Sequence, residues 1–192
     1  MKKLLILVCA TATFSLAAGT AFADSIAGKI GVTGKIGFQI PSNGDIGSNT
    51  IHTDAGFIGG GGVIYGIDNH FAAELDFTRS VFGSNYGDFG VTNVTLGGQY
   101  RFILDQPKLV PYLGAGLDIL VIDAEQGRDV DTTVGVHASA GMDYFILKQV
   151  ALTAEAKFVF AADTDITGPT GRVGNFDPTA FSTTFGVRYF FN

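Results

Sequence analysis

The closing stretch of the chain sets a pattern that recurs along its length. Between Ala180 and Phe191, Phe181, Phe185, Val187, Tyr189 and Phe191 share one parity, and Ser182, Thr184, Gly186 and Arg188 share the other. That is the two-residue period of a β-strand with unlike faces. A first strand is expected from about Lys29 to Ile40, where Ile30, Val32, Ile36, Phe38 and Ile40 alternate with Gly31, Thr33, Lys35, Gly37 and Gln39. A second, about Thr53 to Ile67, carries Phe57, Val63, Tyr65 and Ile67 on one side and Ile58 and Ile64 on the other. In the third, Phe71, Ala73, Leu75 and Phe77 oppose Ala72, Glu74, Asp76 and Thr78, and in the fourth Val94, Leu96, Tyr100 and Phe102 oppose Asn93, Thr95, Gly97, Gln99 and Arg101. The fifth, Val110 to Asp123, sets Leu113, Ala115, Leu117, Ile119 and Val121 against Tyr112, Gly114, Gly116, Asp118, Leu120 and Ile122. The sixth alternates Val134, Val136, Ala138, Ala140, Met142 and Tyr144 with Gly135, His137, Ser139, Gly141 and Asp143, and the seventh Leu152, Ala154, Ala156, Phe158 and Phe160 with Thr153, Glu155, Lys157 and Val159.

Eight such strands are about the length a tilted membrane-spanning strand needs. Their connections alternate too. Turns after strands two, four and six are short, whereas the segments Ile40 to His52, Val81 to Gly90, Ala124 to Asp131 and Thr164 to Pro178 read as long polar loops. Strand parity and loop parity are independent signals. Both predict an all-β fold, an eight-stranded antiparallel up-and-down transmembrane β-barrel with short periplasmic turns, longer extracellular loops and both termini periplasmic. A soluble eight-stranded barrel would reverse the phase, apolar side inward. The polar face here holds few charges and many small residues, which suits a barrel interior better than a solvated surface.

The first 23 residues stand apart. Lys2 and Lys3 precede a mostly apolar run from Leu4 to Ala18, and Ala21-Phe22-Ala23 has the small-x-small form of a cleavage site. Residues 1–23 read as a cleaved secretory signal peptide and residues 24–192 as one barrel domain. A helical anchor needs a longer unbroken apolar run than one containing Thr11, Thr13 and Ser15. Without Lys2 and Lys3, ten basic residues face eighteen acidic ones, a net charge of −8. That argues against nucleic acid as a partner. Cys9 is the only cysteine, so the mature chain is expected to have no thiol chemistry. The export signal, the 27 glycines and the 17 phenylalanines fit the outer membrane of a Gram-negative cell envelope.

If the apolar parity faces lipid, the other parity enumerates the lumen. Its charged members are Lys29, Lys35, Glu74, Asp76, Arg101, Asp118, Asp143, Glu155, Lys157 and Arg188, with His137 beside them. An eight-stranded barrel is only wide enough for side chains, so these charges are expected to pair in a belt. Ile58, Leu120, Ile122 and Val159 share inward parity near the long-loop ends. They are expected to line an apolar outer vestibule suited to small hydrophobic molecules. Filling of the upper core is the competing reading of those four.

Other chemistry is weaker. Gly59 to Gly62 lacks the following Lys and Ser or Thr of a phosphate loop and reads as a bend or close approach in a curved sheet. His137, Asp118 and Ser139 invite a hydrolase reading, but Ser139 lies two residues along the same strand, poorly placed for an external lipid. No catalysis is expected. His52, Asp123, Glu125, Asp129 and Asp131 match no calcium-loop spacing, so no metal and no cofactor are expected. The expected partners are outer-membrane lipid, lipopolysaccharide, small hydrophobic solutes and, through the closing strand, the barrel-assembly machinery.

Five segments together resemble the outer-membrane protein W family. They are Asp68-Asn69-His70-Phe71-Ala72-Ala73-Glu74-Leu75, Val110-Pro111-Tyr112-Leu113-Gly114-Ala115-Gly116, Gly141-Met142-Asp143-Tyr144-Phe145, Asp163-Thr164-Asp165-Ile166 and Phe176-Asp177-Pro178. The likeness covers most of the chain after the leader. It implies an eight-stranded barrel whose apolar interior channel passes small hydrophobic compounds across the outer membrane. The chain departs from the family in having no Trp, in a short first outer loop, and in Asn192 following the terminal aromatic Phe191. A structural or surface-interaction barrel without an open channel, its long loops acting as adhesin or receptor, is the alternative.

Overall fold

The computed structural model describes residues 25–42, 44–46, 49–51, 55–84, 87–104, 108–124, 129–130, 132–162, 164–168 and 171–191. The expected signal peptide, residues 1–23, lies outside them. In chain order the strands are β1 (Ile30–Pro41), β2 (Gly44–Ile46), β3 (Asn49–Ile51), β4 (Gly56–Gly66), β5 (Phe71–Ser84), β6 (Gly87–Arg101) and β7 (Leu109–Ala124). They continue as β8 (Asp129–Val130), β9 (Thr133–Phe145), β10 (Val150–Ala161), β11 (Thr164–Gly168), β12 (Gly171–Phe176) and β13 (Ala180–Phe190).

Eight long strands close a ring. Antiparallel ladders join β1 to β4, β4 to β5, β5 to β6, β6 to β7, β7 to β9, β9 to β10, β10 to β13 and β13 back to β1. Closure leaves no long edge strand exposed. The alternation expected from sequence appears directly as burial: in β1 every second residue from Gly31 to Gln39 points inward, while Val32, Ile36 and Phe38 point out. Outward side chains are large and bare, with Phe38 at 64% and Val134 at 69% exposure. A face this apolar over the whole circumference is untenable in water.

Three tight connections lie at one end. Between β4 and β5 the Asp68 carboxylate accepts backbone N–H bonds from His70 (2.6 Å) and Phe71 (2.7 Å), and the Ile67 N–H bonds the Phe71 carbonyl. These two donors hold the Asp68 carboxyl below the usual carboxylate range. Between β9 and β10, Ile146 N–H reaches the Val150 carbonyl at 3.0 Å. Aromatic residues mark both rims of the outward face. Tyr65, Tyr100, Tyr144 and Tyr189 sit one residue from the short-turn ends of β4, β6, β9 and β13, and Phe38 packs edge-to-face on Phe57 at the other end. Amphipathic rings at one level are what a membrane interface selects.

The described parts of the long connections are largely paired strand. Val81 to Gly90, expected as a loop, is a continuation of the β5–β6 ladder as far as the pair Ser84 and Gly87. Within the expected loop Ile40 to His52, β2 pairs with β3, and within Thr164 to Pro178, β11 pairs with β12. These short strands also join one another, β12 to β2, β11 to β8 and β8 to β7, as a rim on the barrel wall. The alternating residues fix the eight spanning strands, whereas the rim joins two local hairpins, β2–β3 and β11–β12, by pairing between segments far apart in sequence.

Candidate functional site

The inward face divides into three levels. At the short-turn end, Ile26, Ile64, Ala72, Val110, Phe145, Ala151 and Phe190 form a buried apolar layer. The rings of Phe145 and Phe190 stack 5.9 Å apart. Ile26 reaches this layer because Gly28, at φ 74°, turns the chain before β1, and its N–H bonds the Gly66 carbonyl at 2.7 Å. Sequence reasoning missed this plug, although Phe145 and Phe190 carry inward parity.

Above it lies the charged belt. Arg188 on β13 is 1% exposed and reaches Asp143 on β9 at 2.7 Å, Glu74 on β5 at 3.1 Å and the Thr33 hydroxyl on β1 at 2.9 Å. Arg101 on β6 meets the same Asp143 oxygen at 2.7 Å. Gln99 donates to Glu74 at 2.5 Å and accepts from Arg101 at 3.2 Å. Lys35 on β1 lies 2.5 Å from Asp76, 3.6 Å from Glu74 and 3.7 Å from Glu155 on β10. Tyr112 on β7 donates to Glu155 at 3.2 Å, and its ring lies 5.8 Å from both the Arg101 and Arg188 guanidinium carbons. Seven of the eight spanning strands contribute a side chain. The eighth, β4, contributes space instead: a side chain on Gly62 would strike the Asp76 carboxylate. The glycine run is therefore a close approach.

The third level is mixed. Asp118 accepts from Asn93 and Thr95, each at 2.7 Å, and meets His137 Nδ1 at 2.6 Å. The His137 ring lies against Gly97 and Gly116, where added side chains would come within 3.2 and 2.8 Å of it. Lys157 donates to Thr95 Oγ1 at 3.2 Å. Beyond them Ile58, Leu120, Ile122 and Val159 all point inward and are buried.

Ile58, Leu120 and Val159 line one vestibule together with Val91 and Ala180, but Gln39, Thr78, Ser80, Asn93, Lys157, Ser182 and Thr184 line it as well. The vestibule is amphipathic where a purely apolar one is expected, because polar residues share inward parity with the aliphatic ones on β5, β6 and β13. It encloses about 20 Å³, room for about one water. Ile122 does not line this space. Lys29 is half-buried one residue before β1, with its backbone bonding Ile26 and Gly66. The buried set is then five carboxylates and four cations, with His137 beside Asp118.

No hydrogen bond among the described residues joins Ser139 to His137; the Ser139 hydroxyl lies over Gly114. The described residues hold no cluster of three or more potential metal ligands. His52, Glu125 and Asp131 lie outside the described residues, as do the side chains of Asp123 and Asp129.

The sequence profile of the outer membrane protein β-barrel domain matches residues 7–190. The chain belongs to that family. No curated protein matches it in sequence. The outer membrane protein OprG of Pseudomonas aeruginosa superposes with a TM-score of 0.73 at 16% identity, over 86% of this chain and 97% of that one. Neisserial surface protein A gives a TM-score of 0.63 at 20% identity, over 88% of this chain and 99% of that one. The outer membrane protein W of E. coli gives 0.52 at 18% identity, over 86% and 98%. At these identities the likeness is one of fold. It agrees with a closed antiparallel barrel in the outer membrane, whose belt and plug together fill the lumen of this family member.

Proposed function

We propose that this outer-membrane barrel takes up small hydrophobic molecules at its long-connection end, which faces the outside, and releases them into the membrane. Both termini then lie on the periplasmic side. The observation that supports the reading is the division of the inward face by height, with Ile58, Leu120, Ile122 and Val159 above a sealed belt. A molecule moving along the axis meets Lys35, Asp76, Arg188 and Asp143, whose separation would leave buried charges unpaired. The wall beside the vestibule is a shorter way. On the outward side Leu117, Ile119, Val134, Val136 and Phe160 border an apolar groove of about 550 Å³ that reaches Asp118. There, at the pair Asp118 and Gly135, one thickness of backbone separates the membrane from the lumen one inward position below the vestibule residue Leu120. The narrow vestibule requires the upper strands to part during uptake. Replacing Leu120 by Asp puts a charge in its lining and is expected to lower uptake of a hydrophobic fluorescent probe into vesicles by about tenfold or more. Unchanged uptake by a variant that still shows the heat-modifiable mobility of a folded barrel contradicts the reading.

A second reading has its own support. The rim strands β2, β3, β8, β11 and β12 extend the wall in an ordered arrangement, which suits a barrel that presents a surface to another molecule. Solute-independent closure in liposomes, with binding lost when Thr164 to Pro178 is shortened, favours this reading over passage.

A further inference from the structure

Two buried residues that line the vestibule keep hydrogen-bonding capacity that the protein itself does not take up. Lys157 on β10 is 9% exposed and reaches across the lumen to the Thr95 hydroxyl on β6 at 3.2 Å. Among the described residues it makes no ion pair. An ammonium has three N–H donors, and Thr95 takes one. Lys35, the other cation lining the space, differs: Asp76, Glu74 and Glu155 all lie within 3.7 Å of its Nζ. Asn93 on β6 is as buried as Lys157. Its Nδ2 donates to Asp118 at 2.7 Å, which fixes the amide and leaves Oδ1 without a partner. Asp76 Oδ1 and Asp143 Oδ1 are also buried and unpartnered among the described residues, but neither residue lines the vestibule. Asp118 ties the two groups together, because it accepts from Asn93 and from the same Thr95 hydroxyl that Lys157 bonds.

A spare donor and a spare acceptor on one small space specify what it takes. The volume of about 20 Å³ suits a single oxygen of the size of water. A hydroxyl there accepts from Lys157 and donates to Asn93 Oδ1. An ether oxygen only accepts, and leaves Asn93 Oδ1 buried without a donor. A carboxylate also only accepts, and it carries a negative charge into a lumen whose five carboxylates already exceed its four cations. The Lys157 charge is itself offset at longer range by Asp118, Glu74 and Asp76. In a space one oxygen wide a branched carbinol has no room, so the alcohol is primary. Its chain meets Ile58, Val91, Leu120 and Val159, which line the same space.

We propose that the vestibule binds the hydroxyl of a primary alcohol with an apolar chain, Lys157 donating to its oxygen and Asn93 Oδ1 accepting its O–H. The assignment rests on the uptake reading, since the molecule enters where the upper strands part. Decanol bearing a terminal trifluoromethyl group, its methyl ether and the matching carboxylate, each followed by fluorine NMR against the folded barrel in phosphatidylcholine nanodiscs, test it. Wild type is expected to bind the alcohol, as a saturable signal distinct from the lipid-dissolved one, about tenfold more tightly than the ether or the carboxylate. Lys157→Met is expected to lose that preference while keeping the heat-modifiable mobility of a folded barrel. Equal binding of alcohol and ether by wild type overturns the site whether or not the variant assembles. So does an unchanged preference in folded Lys157→Met. Tighter binding of the carboxylate overturns the neutral head group in favour of an anion on Lys157. No saturable signal from any of the three overturns the hydroxyl site and leaves the uptake reading to the Leu120 variant, whose probe carries no hydroxyl.

Discussion

Arg188 holds three partners from three strands, Asp143, Glu74 and Thr33, at 1% exposure. Its removal leaves two buried carboxylates short of their cation, so Arg188→Ala is expected to destabilise the barrel by about 3–5 kcal/mol. Urea unfolding in micelles reads this, and a loss under about 1 kcal/mol would mean that Arg101 and Lys35 neutralise the belt unaided. Asp68 in the β4–β5 turn makes a pH prediction. Its folded pKa is depressed by the His70 and Phe71 N–H groups, so the stability it contributes is present above the unfolded value, about 3.9, and is lost as pH falls through the folded one. Wild type is expected to exceed Asp68→Asn in unfolding midpoint at neutral pH, and the gap to close below about pH 4. A pH-independent gap contradicts this. At this scale parity made the belt legible: of the ten charged residues given inward parity, nine are buried and Lys29 alone is not. Parity says which way a side chain points, not what it touches. Tyr112 could thus be placed inside from sequence, while its position between two arginines could not.

The spanning strands were readable because each must satisfy two environments at once, and a one-residue slip would exchange them. Val134 and His137 cannot trade faces. The rim strands carry no such demand. Gly44–Ile46 and Gly171–Phe176 are short, and each pairs both with its own hairpin neighbour and with the other more than a hundred residues away, so local alternation says nothing about them. The sequence predicts a loop at the top of the β5–β6 hairpin for a related reason. The stretch Gly83 to Tyr86 has the composition of a turn, yet the ladder below it carries paired strand outward as far as Ser84 and Gly87. On β4 glycine reads true: Gly59 to Gly62, expected as a bend or close approach within a strand, sits inside a continuous strand, and at Gly62 a side chain would strike the Asp76 carboxylate.

For the whole molecule, the belt and the Phe145–Phe190 plug close the lumen twice, so an eight-stranded ring serves as a filled wall and not as a pore. Passage and the surface rim both depend on the same circumstance, that lipid touches the apolar face. The chain after Asp24 has no cysteine, so single spin labels placed along β7 report their surroundings without interference. Collision rates with oxygen, which dissolves in lipid, measured in bilayers at successive positions from Leu113 to Val121, test the account most directly. High accessibility at Leu113, Ala115, Leu117, Ile119 and Val121, alternating with low values at Gly114, Gly116, Asp118 and Leu120, is the predicted result. The opposite phase, or no alternation, would contradict it.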